Sequence, residues 1–311
     1  MDKNILQTLS IKVSPINDHV LYFYDGRDLS GEPDFLTQEN SWIYYGAMSL
    51  GLATYAIHKG NKAVVFDSMS HPLQGEWVKN YLRSIGIKHF TLVNSHWHLD
   101  HVAGNASYKD DDIIATYLTR KALETNKQAI EEGTTDLGPP GISVVLPNIA
   151  YYDNLTLYLD DLRIELLNFN IHTDDGTCLY IPQDKILFAG DMLEDTVTFI
   201  LNPEDMPTHI AELNRMKELD IKAIYPNHGD PEVIASGGYD KTFIDATIDY
   251  DTKMLARAHD ANFHESTIED LAGDSIGKGW VHYFEPYEEV HKLNLKTVSD
   301  YYRDKDIPSL K

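Results

Sequence analysis

Six consecutive residues, His96-Trp97-His98-Leu99-Asp100-His101, place three imidazoles and a carboxylate directly after the apolar run at residues 90–93. In an extended segment, side chains two apart point the same way, so His96 and His98 address one point. As the chain turns, Asp100 and His101 face a second point nearby. Imidazole nitrogen and carboxylate oxygen are the ligands preferred by zinc and related divalent metals. A surface histidine cluster is the plainer reading, but it does not account for this spacing at the end of a strand. Further ligands then belong at other strand ends. His172 follows the apolar run 164–169, Asp191 follows 186–189 across Gly190, and His228 follows 221–225.

Composition narrows the alternatives. Cys178 is the only cysteine, so the chain forms no intrachain disulfide and no thiolate-rich metal cluster, and any metal is held by nitrogen and oxygen. Against 49 Asp and Glu stand 26 Lys and Arg, a formal charge of −23, and no stretch gathers the basic residues into a patch. That excludes the positive field a nucleic acid or anionic membrane requires. The first ten residues carry Asp2, Lys3, Asn4 and Gln7 in place of an apolar leader, so a cytoplasmic location is the default expectation. The longest uncharged run, 40–57, is interrupted by Ser41, Gly46, Ser49, Gly51 and Thr54, falls short of the ~20 apolar residues a spanning helix needs, and reads as sheet core. With 42% hydrophobic residues in a chain of 311, a packed core follows.

Between residues 11 and 67, short apolar runs at 20–24, 42–45, 52–57 and 63–66 are separated by turn residues and predict a meander of strands. From Pro72 the period becomes helical, with Leu73, Trp77, Tyr81, Leu82 and Ile85 on one face and Gly86 as the stop. A strand at 90–93 follows. This strand, helix, strand order is a βαβ unit, whose carboxyl end is where open α/β sheets place ligands. A second helix is expected over 118–132, closed by Gly133 and followed by a Gly/Pro loop at 134–141. Alternating runs at 155–159 and 162–166 around Asp160-Asp161 predict a hairpin, and runs at 178–181 and 186–189 repeat the arrangement. Ile210, Leu213, Met216 and Leu219 mark a helix leading into a strand at 221–225. Beyond Gly237-Gly238 the pattern is mainly helical. The expected division is therefore a domain over 1–236 with a helical appendage over 237–311 packed on it.

With these residues in place, the sequence resembles the metallo-β-lactamase superfamily of hydrolases. The signature H-x-H-x-D-H stands at His96, His98, Asp100 and His101, and His172-Thr173, Gly190-Asp191 and His228-Gly229 match the remaining motifs in order, the likeness covering roughly residues 11–235. The resemblance implies an α/β protein, a four-layer αβ/βα sandwich, carrying a dinuclear metal site. It implies that His96, His98 and His172 bind one metal, that Asp100, His101 and His228 bind the other, and that Asp191 bridges them. Asp67 matches an acidic position that orients a ligand imidazole, although a turn or capping role fits it equally.

The resemblance carries expectations about chemistry. Two divalent ions, zinc first with iron or manganese as alternatives, would give a bridging hydroxide that attacks an ester, lactone or thioester of a small molecule. Asp100, beside the water, would pass a proton to the leaving group. Thr173 and Asn227, neighbours of ligands, are candidate polar donors, and Phe199 and Ile200 a candidate apolar wall. True β-lactamases of the superfamily have Cys or Ser at the place of Asp191, which disfavours antibiotic hydrolysis here. The rivals are a mononuclear iron dioxygenase acting on a glutathione persulfide, and a phosphodiesterase or sulfatase. The expected partner is a small-molecule substrate, with no nucleic acid and no membrane, and a homo-oligomer stays open. Trp280, Tyr283, Phe284 and Tyr287 read as helix packing or as a lid, with His282 the polar group such a lid would carry over the site.

Overall fold

A computed structural model describes residues 9–34, 42, 46–134 and 141–307. The expected strand at 42–45 and loop at 134–141 lie largely outside these residues. The chain divides into two compact units, Met1–Asn168 with Leu179–Gln183, and Phe169–Cys178 with Asp184–Lys311.

The first unit holds a seven-stranded sheet whose strands follow chain order: β1 (Lys12–Asn17), β2 (Val20–Asp25), β3 (Leu52–Lys59), β4 (Lys62–Phe66), β5 (His89–Val93), β6 (Asp112–Thr116) and β7 (Ile149–Tyr151). Strands β1 to β4 pair antiparallel and β4 to β7 parallel. Its helices are α1 (Ala47–Leu50), α2 (Pro72–Ser84), α3 (Leu99–Val102) and α4 (Tyr117–Glu132). Helix α2 begins where His71 accepts the Leu73 N–H on Nδ1 and Pro72 presets the first turn. It buries Val78 and Leu82 against Phe23, Leu52, Val65 and Leu92 of the sheet, while Ile85 has left the helix and is 47% exposed. Helix α4 ends as its sequence indicates, with Gly133 left-handed at φ +62° and its N–H on the carbonyls of Ala129 and Ile130.

Two features depart from the sequence reading. Within the run read as sheet core, 47–50 form the short helix α1, and β3 starts only after Gly51, which turns the chain at φ +83° beneath the Tyr24 hydroxyl. Strands β6 and β7 carry no periodic signal: five and three residues are too short to separate a strand from any other apolar run.

A second sheet has the order β12-β11-β10-β9-β8. Strands β8 (Asn154–Leu159) and β9 (Leu162–Asn168) form the expected hairpin, with Asp160 left-handed at φ +57° and Leu162, Ile164 and Leu166 turned inward. Strands β10 (Thr177–Ile181) and β11 (Ile186–Gly190) are buried along their whole length, as interior strands covered on both faces are. Helix α5 (Met206–Lys217) carries the chain from β11 to the parallel strand β12 (Ala223–Pro226), which begins two residues later than its apolar run. Helices α6 (Pro231–Ala235), α7 (Thr242–Arg257), α8 (Ile268–Gly277) and α9 (Tyr287–Tyr302) follow, all within the second unit. Among the described residues no helix is long and apolar enough to cross a membrane.

Two consequences are testable. A Cβ at Gly104 would come within 1.9 Å of the Ser68 carbonyl oxygen, at the turn where Ser68 donates to the His101 carbonyl through both its N–H and its hydroxyl. Gly104→Ala is expected to cost about 1–3 kcal/mol in denaturant unfolding; an unchanged midpoint would show that this approach is slack. On α7, Asp251 is 3% exposed, its Oδ1 has no hydrogen-bond partner among the described residues, and burial pushes its carboxyl up to about 7. The folded state therefore holds a proton that the unfolded chain releases from about pH 4 upward, so this residue's contribution to stability falls as pH rises to about 7. Asp251→Asn should raise stability at pH 8 and leave it nearly unchanged at pH 4, read from thermal unfolding at both pH values.

Candidate metal centre

In the first unit, β5 ends at Val93 and the next residues are pinned before α3 begins. Asn94 and Asn105 exchange side-chain amide hydrogen bonds at 3.0 and 2.9 Å, and the Asn94 N–H donates to the Ile114 carbonyl of β6. His98 stands extended as the residue before α3, so Asp100 and His101 fall in its single turn. His96 and His101 are fully buried, and Asp100 is 4% exposed. The His96 ring centroid lies 4.6 Å from that of His98 and 4.3 Å from that of His101.

Asp67 sets the orientation of this group. It follows β4 at φ +67°, a backbone conformation that Asp and Asn tolerate better than most residues. Its Oδ1 accepts the Ser95 N–H at 2.7 Å and its Oδ2 accepts the His101 Nδ1–H at 3.0 Å. An imidazole that donates from Nδ1 keeps the lone pair on Nε2 for a metal. His96 Nδ1 is likewise engaged, by the Ser95 hydroxyl at 2.8 Å.

In the second unit, His172, Asp191 and His228 are 2–3% exposed at three chain positions that each follow a strand. Gly190 turns the end of β11 at φ +58°, and its carbonyl accepts the Asn227 N–H, which draws the residues before His228 beside Asp191. His172 donates from Nδ1 to the Phe199 carbonyl at 3.0 Å, so its Nε2 also keeps the lone pair. Asp191 Oδ2 lies 3.6 Å from His228 Nε2 and 4.0 Å from His172 Nε2.

These separations are informative. In the first unit, His101 Nε2 and Asp100 Oδ2 stand 3.4 Å apart. The values of 3.4 and 3.6 Å exceed ordinary hydrogen-bond lengths of about 2.7–3.2 Å. Two ligands each about 2.0–2.2 Å from one tetrahedral ion stand about 3.3–3.6 Å apart, so a shared cation fits these pairs better than a direct bond. The residues able to serve as metal ligands are His96, His98, Asp100 and His101 in the first unit and His172, Asp191 and His228 in the second.

Several contributors carry no sequence signal. Glu194 is 3% exposed, and burial, then the Asp191 charge, push its carboxyl up to about 8. Its oxygens accept the Phe199 N–H and the Tyr287 hydroxyl, and Oε1 lies 3.9 Å from His172 Nδ1. Asp195, fully buried, accepts the His282 backbone N–H at 2.6 Å, the His282 Nδ1–H at 2.9 Å and the Tyr239 hydroxyl at 2.7 Å, while its own N–H donates to the His228 carbonyl. Their positions three and four residues after Asp191 were the available hint. Thr173 and Asn227 are buried beside His172 and His228 in the chain, the Phe199 ring lies 6.1 Å from that of His172, and Ile200 is 2% exposed. Of the C-terminal aromatics, Tyr287 is core and Tyr283 is 53% exposed.

Residues 53–228 match the model of the metallo-β-lactamase superfamily, and the chain belongs to that family. It is 28% identical over 184 residues to a β-lactamase-like protein 2 homolog of Caenorhabditis elegans, across 58% of this chain and 56% of that protein. It is 28% identical over 178 residues to a type 2 metallo-β-lactamase of Bacteroides fragilis, across 55% and 66%. It is 31% identical over 106 residues to the cytoplasmic hydroxyacylglutathione hydrolase of Saccharomyces cerevisiae, across 33% and 34%. The chain thus spans less than two thirds of the length of these relatives. Among solved structures, a metallo-β-lactamase from Pontibacter korlensis superposes with a TM-score of 0.54 at 17% identity, covering 76% of this chain and 99% of that one, which shows the shared αβ/βα sandwich.

Replacing Asp67 by Asn keeps the tolerance for its backbone conformation and removes the charge that orients His101. Asp67→Asn is expected to weaken zinc binding by about 10–100-fold with the fold intact. Competition against a chromophoric chelator measures it, and an unchanged affinity would remove Asp67 from the centre.

Proposed function

We propose that the chain is a metal-dependent hydrolase that holds two divalent ions, zinc first, and opens an ester, lactone or thioester of a small molecule. One observation carries the dinuclear reading. A single carboxylate oxygen, Asp191 Oδ2, faces the metal-binding nitrogens of both His172 and His228, which the family resemblance assigns to different ions. A carboxylate so placed suits a bridge between two cations. In this reading His96, His98 and His172 hold one ion, Asp100, His101 and His228 the other, and Asp191 both.

Divalent cations held there supply Lewis acidity, polarising a carbonyl and making water acidic enough to attack near neutral pH. The chain's own part is orientation and proton handling. Asp67 and the Phe199 carbonyl hold His101 and His172 with Nε2 available. Asp100 is the carboxylate that would take a proton from the attacking water and return it to the leaving group. The thioester option draws support from the yeast relative, whose name gives an acyl-glutathione as its substrate.

The test is metal analysis together with a panel of chromogenic esters, lactones, thioesters and phosphodiesters on zinc-, manganese- and iron-loaded protein. The expected result is two ions per chain and hydrolysis of a carboxylic substrate that a chelator abolishes. One iron per chain with persulfide oxidation, or turnover of phosphodiesters alone, would overturn it. Asp191→Ala should lose metal and turnover while its circular dichroism stays native; if it kept both ions and near-normal turnover, the bridging role would be wrong.

A further inference from the structure

Residues 191–198 have no regular secondary structure, yet every one of them is buried. A buried irregular segment must find partners for its backbone polar groups, because water cannot reach them. Some partners are local, as where the Glu194 N–H donates to the Thr198 hydroxyl, and others come from the far end of the chain. Asn294 on α9 is fully buried, its Oδ1 accepting the Ile200 N–H at 2.8 Å and its Nδ2 donating to the Thr198 carbonyl at 2.9 Å. The Thr196 hydroxyl donates to the His282 carbonyl at 2.6 Å and accepts the Phe284 N–H at 3.1 Å. The Tyr287 hydroxyl reaches Glu194, and His282 holds Asp195 through two hydrogen bonds.

The same loop touches two of the candidate ligands. The Phe199 carbonyl, between the two residues Asn294 holds, receives the His172 Nδ1–H, and the Asp195 N–H donates to the His228 carbonyl. We propose that residues 282–294 form a strap that orients His172 and His228 through the 194–200 loop, with Asn294 the chief positioning residue. The strap lies beyond residue 228, where the family match ends. The inference rests on the metal-centre reading above and adds to it a role for the C-terminal helices.

Asn294→Leu keeps the branched shape of the side chain and removes its hydrogen bonds to Ile200 and Thr198, together with the one its Nδ2 gives the Tyr250 hydroxyl. Zinc affinity, measured by chelator competition, and the visible absorption of the cobalt-loaded protein are compared with wild type. Leu295→Ala, a buried neighbour on the same helix, is the control for simple destabilisation. The expected result is a folded Asn294→Leu protein whose zinc affinity falls by at least about tenfold, as for other groups that orient ligands, with a shifted cobalt spectrum, while Leu295→Ala lowers the melting temperature and leaves both metal readouts in place. Wild-type affinity and spectrum in Asn294→Leu would overturn the strap, as would an equal loss in Leu295→Ala. If Asn294→Leu does not fold, Thr196→Val is judged by the same criteria. A wild-type chain that binds no zinc or cobalt would instead overturn the metal-centre reading, and the strap with it.

Discussion

The carboxylate of Asp67 joins the end of β4 to the segment after β5, and the local arrangement depends on that junction. One oxygen holds the Ser95 N–H and the other the His101 Nδ1–H, while the Asp67 N–H reaches back to the Val93 carbonyl. A buried anion with these partners is satisfied by two donors that are themselves fixed by the sheet. Around it, Ser68 and Asn105 tie down the His101 carbonyl and the turn that follows, and Gly104 permits the close approach. The imidazoles are thus set in place by hydrogen bonds in the protein, which is what lets a ligand group bind metal without first paying an ordering cost.

The second unit reaches a similar end by different means. His172 is oriented by a backbone carbonyl and His228 is tied through its own carbonyl to a backbone N–H. A backbone group is only as well placed as the loop that carries it. That makes the packing of residues 194–200 a condition for how His172 and His228 stand, whereas Asp67 acts on His101 directly.

Much of the fold was legible because punctuation and periodicity agreed. Gly133, the Asp160-Asp161 pair and Pro72 each stand where the backbone needs a left-handed residue or a preset first turn. The candidate ligands were legible because His and Asp are rare immediately beyond apolar runs, and the H-x-H-x-D-H spacing is hard to satisfy by chance. The turn of helix at 47–50 was hidden in an apolar run where Gly51, more than hydrophobicity, decides where the strand begins. Glu194 and Asp195 were hidden for a further reason. Read alone, Met192-Leu193-Glu194-Asp195-Thr196 is an acidic turn, and its burial is decided by residues about ninety positions later.

Burial and the charge of Asp191 set the protonation of Glu194. Asp191 and Glu194 are three residues apart and equally buried, but Glu194 sits against the Phe199 N–H and the Tyr287 hydroxyl, and its charge is opposed by burial and by Asp191. A carboxyl raised to about 8 is mostly neutral at pH 7. Two anions in one buried place repel, and holding one proton on the pair relieves that repulsion without a cation. The Phe199 N–H and the Tyr287 hydroxyl act the other way, favouring the charged form, so the raised carboxyl is set by burial and by Asp191 against these two donors.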